Sequence, residues 1–229
     1  MRRAVAAPAA AVVLLLGAGA LTPPAAGGAA LAATPTSTSL VLSHPASALG
    51  QAVRASATVV SASGPPQGDV VFTVDGVAVK ANLTGGGTAS ILLPEASVGT
   101  HSVGATFVPQ LPLQQEGSVA PALAWQVDRA SVDLGLRVSG ARPRSAARAH
   151  LDLRGDFGTR PTGAVRLRLL QAASPTRRMS TTRTATLDDT ARATARLGRL
   201  GPGRYRLVAT YPGDAGHEGA RRTVRFRVR

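Results

Sequence analysis

A nine-residue pattern occurs twice in this chain, 104 positions apart. Gly99-Thr100-His101-Ser102-Val103-Gly104-Ala105-Thr106-Phe107 aligns without a gap on Gly203-Arg204-Tyr205-Arg206-Leu207-Val208-Ala209-Thr210-Tyr211. Both read G-x-[His/Tyr]-x-[Val/Leu]-x-Ala-Thr-aromatic. The bulkier residues fall on alternate positions, 101, 103, 105 and 107 against 205, 207, 209 and 211. Period-two alternation that opens at a glycine marks a half-buried β-strand. Its recurrence means that the chain repeats one β-rich unit.

The 229 residues leave room for two such units behind a targeting segment. Met1-Arg2-Arg3 is a short basic start, Ala9 to Leu16 an apolar run, and Ala30-Leu31-Ala32 an A-x-A cleavage site. That order describes a secretory signal peptide over residues 1–32. The apolar run falls short of the ~20 residues that a bilayer needs, so no transmembrane segment is expected after cleavage. The expected location is secreted or cell-surface associated. The chain has no cysteine, so each unit must hold together by apolar packing alone.

The first unit is expected over residues 37–127. Gln51 to Val60 alternates Val53, Ala55, Ala57 and Val59 against Arg54, Ser56 and Thr58. Gly68 to Val74 runs into Asp75-Gly76, a strong hairpin signal. Val77 to Leu83 returns, Gly85-Gly86-Gly87 turns again, and Thr88 to Leu93 gives a further strand. Ser118 to Val127 closes the sheet with Leu123, Trp125 and Val127 inward. The second unit is expected over residues 131–229. Val132, Leu134, Leu136 and Val138 point one way, as do Ala147, Ala149, Leu151 and Leu153, and then Val165, Leu167 and Leu169. Thr181 to Leu187 reads as a strand of its own, D-like in position, and Leu170-Gln171 stands where the first unit has its Asp-Gly turn.

The first unit resembles the bacterial Ig-like domains found in tandem in secreted and surface proteins. The resemblance is carried by Gly50-Gln51-Ala52-Val53, by Gly68-x-Val70-x-Phe72 with Asp75-Gly76, by Gly87-Thr88-Ala89, and by Gly99 through Phe107. It implies an all-β protein of two tandem immunoglobulin-like β-sandwiches after a signal peptide, with the repeated stretch as strand F. It also implies a tyrosine corner at Tyr205, with His101 as its substitute in the first copy. The family scaffolds adhesins, spacers and enzyme accessories alike, so the resemblance implies a fold and an extracellular setting rather than one ligand.

No catalytic motif is present: there is no G-x-S-x-G, no H-E-x-x-H, no phosphate-binding G-x-x-x-x-G-K-[S/T] and no thiol. No cofactor or metal is expected, and the expectation is a non-enzymatic module. Asp214, His217 and Glu218 share one loop and read as solvated. By alternation six of the seven aromatic residues face the core, leaving Phe157 in a loop. That counts against a platform for sugars or splayed bases, so no specific nucleic acid is expected.

Arginine is the positive signal. Residues 37–127 hold Arg54 and Lys80 against four acids, whereas residues 128–229 hold 22 arginines against eight. In an Ig-like sandwich strands C, F and G share a sheet. The outward residues of the second copy on those strands are Arg166 and Arg168, Arg204 and Arg206, and Arg225 and Arg227. These six are the candidate polyanion-binding residues. The expected partner is an anionic cell-envelope polymer, such as teichoic acid, or another surface protein. The competing readings are a passive spacer and an accessory of a secreted polysaccharide-active system. Oligomeric state does not follow from the sequence.

Overall fold

The computed structural model describes residues 32–142, 145–172 and 178–229. The targeting segment expected over residues 1–32 lies outside them, Ala32 excepted. No described helix is long and apolar enough to cross a membrane.

Alternating apolar positions become strands throughout. The first sandwich uses β1 (Thr36–Leu42), β2 (Ala46–Ala48), β3 (Arg54–Ser61), β4 (Gly68–Val74), β5 (Val77–Asn82), β6 (Thr88–Leu92), β7 (Gly99–Pro109) and β8 (Ser118–Asp128). One sheet runs β1-β3-β6 and the other β2-β8-β7-β4-β5. The second sandwich uses β9 (Val132–Ser139), β10 (Ala146–Gly155), β11 (Ala164–Ala172), β12 (Arg178–Thr186), β13 (Arg192–Arg199), β14 (Gly203–Tyr211) and β15 (Ala220–Val228). Its sheets run β13-β10-β9 and β12-β11-β14-β15. The repeated stretch is β7 in one copy and β14 in the other, central in its sheet both times. Gly99 and Gly203 start these strands at φ +149° and +153°. Glycine alone takes that backbone without strain.

The cores are the expected ones. Val53, Ala55, Ala57 and Val59 of β3 close on Val70 and Phe72 of β4, Val103, Ala105 and Phe107 of β7, and Trp125 and Val127 of β8. In the second copy Ala147, Ala149, Leu151 and Leu153 meet Val165, Leu167 and Leu169, with Leu207, Ala209 and Tyr211 between the sheets. Each fully buried Val, Leu or Phe stabilises its sandwich by roughly 1.5–3 kcal/mol, which substitutes for the missing disulfides. Asp75 and Gly76 turn the β4–β5 hairpin at φ +48° and +85°, and Val74 pairs directly with Val77. Two positive φ angles in a two-residue loop are the geometry that suits the twist of the flanking strands.

The structure departs from the sequence reading at four places. β2 pairs in parallel with the end of β8, a three-residue contact too short to show periodicity. The β7–β8 register slips between Val103 and Ala105, so that Val103 faces Leu123 but Ala105 faces Ala120. Pro121 lies in that bulge, where a residue without an N–H belongs. The bulge lets Ala120 as well as Trp125 reach the core. β12 is not D-like: it pairs with β11 and not with β13. It thus occupies in the second copy the place that β5 has in the first. Finally, Leu170 and Gln171 do not turn, because β11 runs on to Ala172 with both in register.

Candidate functional site

The outer face of β11, β14 and β15 is assembled by register. Across β14 and β15, Arg204 faces Arg227 and Arg206 faces Arg225. On the other side of β14, Arg168 faces Val208 and Arg166 faces Thr210. All six arginines expected here from alternation are exposed. Arg221, also exposed, faces Thr210 from β15 and joins the same surface. Sequence reasoning left it out, although its two-residue steps from Arg225 and Thr223 carried the signal.

None of the three strands contains an acid. Among the described residues the ion pairs are Lys80–Asp69, His101–Asp75, Arg154–Asp152, Arg192–Asp152 and His217–Asp214, so none of the seven arginines is neutralised by a carboxylate. Like charges set directly across a ladder destabilise it by up to about 1 kcal/mol per pair. Arg204–Arg227 and Arg206–Arg225 are two such pairs in adjoining rows.

The face is not uniformly polar. Val208 points outward yet is only 5% exposed. By register its neighbours on this face are Arg166, Arg168 and Leu170 on β11, Arg206 and Thr210 on its own strand, and Arg221, Thr223 and Arg225 on β15. Long aliphatic arginine stems lie over apolar surface while their heads stay in water, which accounts for a buried valine on a solvent face. Toward the end of the sheet a groove of about 520 Å3 is lined by Arg204, Tyr205, Arg206, Arg225, Phe226 and Arg227, and its lining is mainly apolar.

The opposite sheet also carries arginines, and there one acid answers two of them, while Arg148 and Arg196 face each other across the β10–β13 ladder. Asp152 accepts from Arg192 (3.2 Å) and Arg154 (3.1 Å). The Arg192 bond above all holds its pKa below the usual carboxylate range. The matching face of the first sandwich is nearly uncharged. Asp69 meets Lys80 at 2.6 Å there, and Thr100 donates to Gln126 at 2.6 Å.

The histidines serve the fold. His101 Nε2 faces the Ser97 carbonyl at 2.8 Å and Nδ1 faces Asp75 Oδ2 at 2.6 Å. With acceptors on both nitrogens the ring is best satisfied as imidazolium. Its pKa is raised by the Asp75 bond first and the Ser97 carbonyl second. Asp75 is lowered in turn by His101 and by the Ser102 N–H. Tyr205 donates to the Gly201 carbonyl at 2.8 Å, again four residues back. The corner is therefore present in both copies, and His101 is the expected substitute.

One loop reading is corrected. The segment Asp214 to Glu218 is not a solvated loop, since His217 is only 5% exposed. Asp214 Oδ2 accepts from the Thr162 N–H and hydroxyl at 2.8 and 2.9 Å, while Oδ1 accepts from Gly216 N–H at 2.9 Å and faces His217 Nδ1 at 2.8 Å. Burial raises the Asp214 pKa, but the bonds from Thr162 and His217 outweigh it and hold the carboxyl well below its usual range. The Asp-x-Gly spacing of a local side-chain turn was the available signal.

Residues 40–118 match the family model described as bacterial Ig-like domain (group 3). No curated protein matches the sequence. Among solved structures, invasin, a bacterial integrin-binding protein, is 15% identical with a TM-score of 0.54, over 83% of this chain and 39% of its own. The fibronectin(III)-like modules of Clostridium thermocellum CbhA are 14% identical at a TM-score of 0.31, over 83% of this chain and 94% of theirs. Yersinia pseudotuberculosis adhesin InvE is 16% identical at a TM-score of 0.37, over 82% of this chain and 58% of its own. The present chain thus spans 39% of the length of invasin and 58% of InvE. The invasin likeness is one of fold. With the strand order, the corner at His101 and the family match in agreement, residues 40–118 belong to the bacterial Ig-like domains of group 3.

Proposed function

We propose that this chain is a non-enzymatic module of the bacterial cell envelope, exported to the outside, whose second sandwich contacts an anionic polymer through β11, β14 and β15. The observation that carries this reading is the contiguous exposed face of Arg166, Arg168, Arg204, Arg206, Arg225 and Arg227, with no carboxylate paired to it among the described residues. Such a face is unfavourable by itself and becomes favourable under an anion. Export is supported by the basic start, apolar run and A-x-A site at the N-terminus. The Ig-like scaffold suits the role, since invasin uses a similar fold in an integrin-binding protein.

The test compares two triple variants of the full chain. Arg168, Arg206 and Arg225 changed to Gln should elute from an immobilised polyanion at clearly lower salt, because each lost contact also removes counterion release. Arg148, Arg192 and Arg196 changed to Gln, all exposed on the opposite sheet, should change retention far less. Equal losses from the two triplets would leave only diffuse charge. No retention of the unmodified chain at low salt would make the second sandwich a spacer.

A further inference from the structure

Resting on the reading of β11, β14 and β15 as a polyanion face, we propose that its polymer is a polyol phosphate. The chain of that polymer lies along β14 and β15, with successive phosphates at two-residue intervals of the strands. Arg204 and Arg206 lie two residues apart on β14, as do Arg227 and Arg225 opposite them. Alternate residues of a strand are about 6.7 Å apart, and neighbouring strands about 4.8 Å. The four arginines therefore form two facing pairs, one strand repeat apart. Two guanidinium groups at each rung can grip one phosphate between them with fork-like bonds. A polymer with six backbone bonds from phosphorus to phosphorus, as a glycerol linker gives, advances about 7 Å per repeat when extended, at about 1.2 Å per bond. The two spacings agree.

The ground between the arginines selects what joins the phosphates. The groove at this square is mainly apolar, and the outward Leu170 and buried Val208 continue that character toward Arg168. A three-carbon linker can lay its methylenes on such a floor while its hydroxyl stays in water. Nucleic acid single strands have a comparable phosphate interval, but they need flat exposed rings on which to stack bases. Here Tyr205 is buried and stacks on Phe226, ring centroids 5.4 Å apart and 15° from parallel, with its hydroxyl committed to Gly201. Inorganic polyphosphate places its charges at less than half the rung interval, two bonds apart.

The test is calorimetric titration of the full chain with polyglycerol phosphate, inorganic polyphosphate, polyglutamate and an oligothymidylate, matched in charge. Polyglycerol phosphate should bind about tenfold tighter than each of the others, the worth of one well-formed bidentate contact. A double variant, Thr223→Arg with Arg225→Thr, keeps the net charge and the outer face but breaks the square. It should lose about tenfold more affinity for polyglycerol phosphate than for polyphosphate, whose closer charges can follow the moved arginine. Arg206→Gln with Arg225→Gln is the second variant; it removes one rung and should reduce the log–log salt slope by about 0.7, the share of one phosphate. Equal binding of all four polymers, or a charge swap without effect, overturns the spacing proposal and leaves the polyanion face standing. Tighter binding of oligothymidylate also overturns it. Failure of every polymer to bind the unmodified chain at low salt overturns the face itself.

Discussion

At the start of β7, His101 meets the carbonyl four residues behind it; at the start of β14, Tyr205 does the same. Each ring then packs against the aromatic residue facing it across the ladder, His101 tilted at 48° to Trp125 and Tyr205 stacked on Phe226, with centroids 5.4 Å apart in both pairs. A second staple repeats in the same way. The residue before the glycine at the β4 start, Gln67, gives its N–H to Gln115 Oε1 at 3.0 Å. Thr162, before Gly163, gives its N–H to Asp214 Oδ2 at 2.8 Å. The interior plan has thus been kept while the chemistry of its fasteners has been exchanged. The outer faces share nothing of the kind, neutral on β4, β7 and β8 apart from Asp128 and one Lys–Asp pair, and unanswered arginine on β11, β14 and β15. Two copies of one unit separate what the fold requires from what the surface is free to vary.

The charged staple should matter more than the neutral one. Asp214→Ala removes a carboxylate that holds Thr162 and Gly216, at an expected cost of about 2–3 kcal/mol to the second sandwich. Gln115→Ala should cost the first about 1 kcal/mol. Denaturant unfolding of both variants checks the order, and equal costs would mean that the staples are energetically alike. Because the Asp214 pKa is depressed in the folded chain, its contribution is present above the ordinary carboxylate value and is lost as pH falls through the depressed one.

The corners should differ in pH dependence. His101 is raised above its ordinary 6.5, so its share of stability is complete below about pH 6.5 and is lost as pH rises through the raised value. Asp75 is lowered from 3.8, so its share is present above that and is lost only as pH falls through the lowered value. Trp125 is the single tryptophan and packs against His101, so its fluorescence follows the first sandwich. The tryptophan-detected urea midpoint should fall from about pH 6 to about pH 9, and His101→Tyr should flatten it. A flat profile in the unmodified chain would remove the ionic part of this corner.

Most of the interior was legible because one face of each strand is buried, and period two then fixes which residues go in. The outward set Arg166, Arg168, Arg204, Arg206, Arg225 and Arg227 followed from that parity alone. What escaped the sequence was set by partners. Thr181 to Leu187 alternates like a strand, but nothing within it says whether β11 or β13 will take it. Val208 sits at an outward parity, and its burial is set by the residues that neighbouring strands bring around it. His217 lies in a polar loop, and its ring is covered by Gly155, 62 residues away.

The central claim is that one of the two outer faces is made to meet an anion and the other is not. Hydrogen–deuterium exchange of the full chain, with and without polyglycerol phosphate at low salt, addresses it most directly. Added protection should be confined to peptides from β11, β14 and β15, with β4, β7 and β8 unchanged. Protection spread evenly over both sandwiches, or centred on β9, β10 and β13, would contradict it.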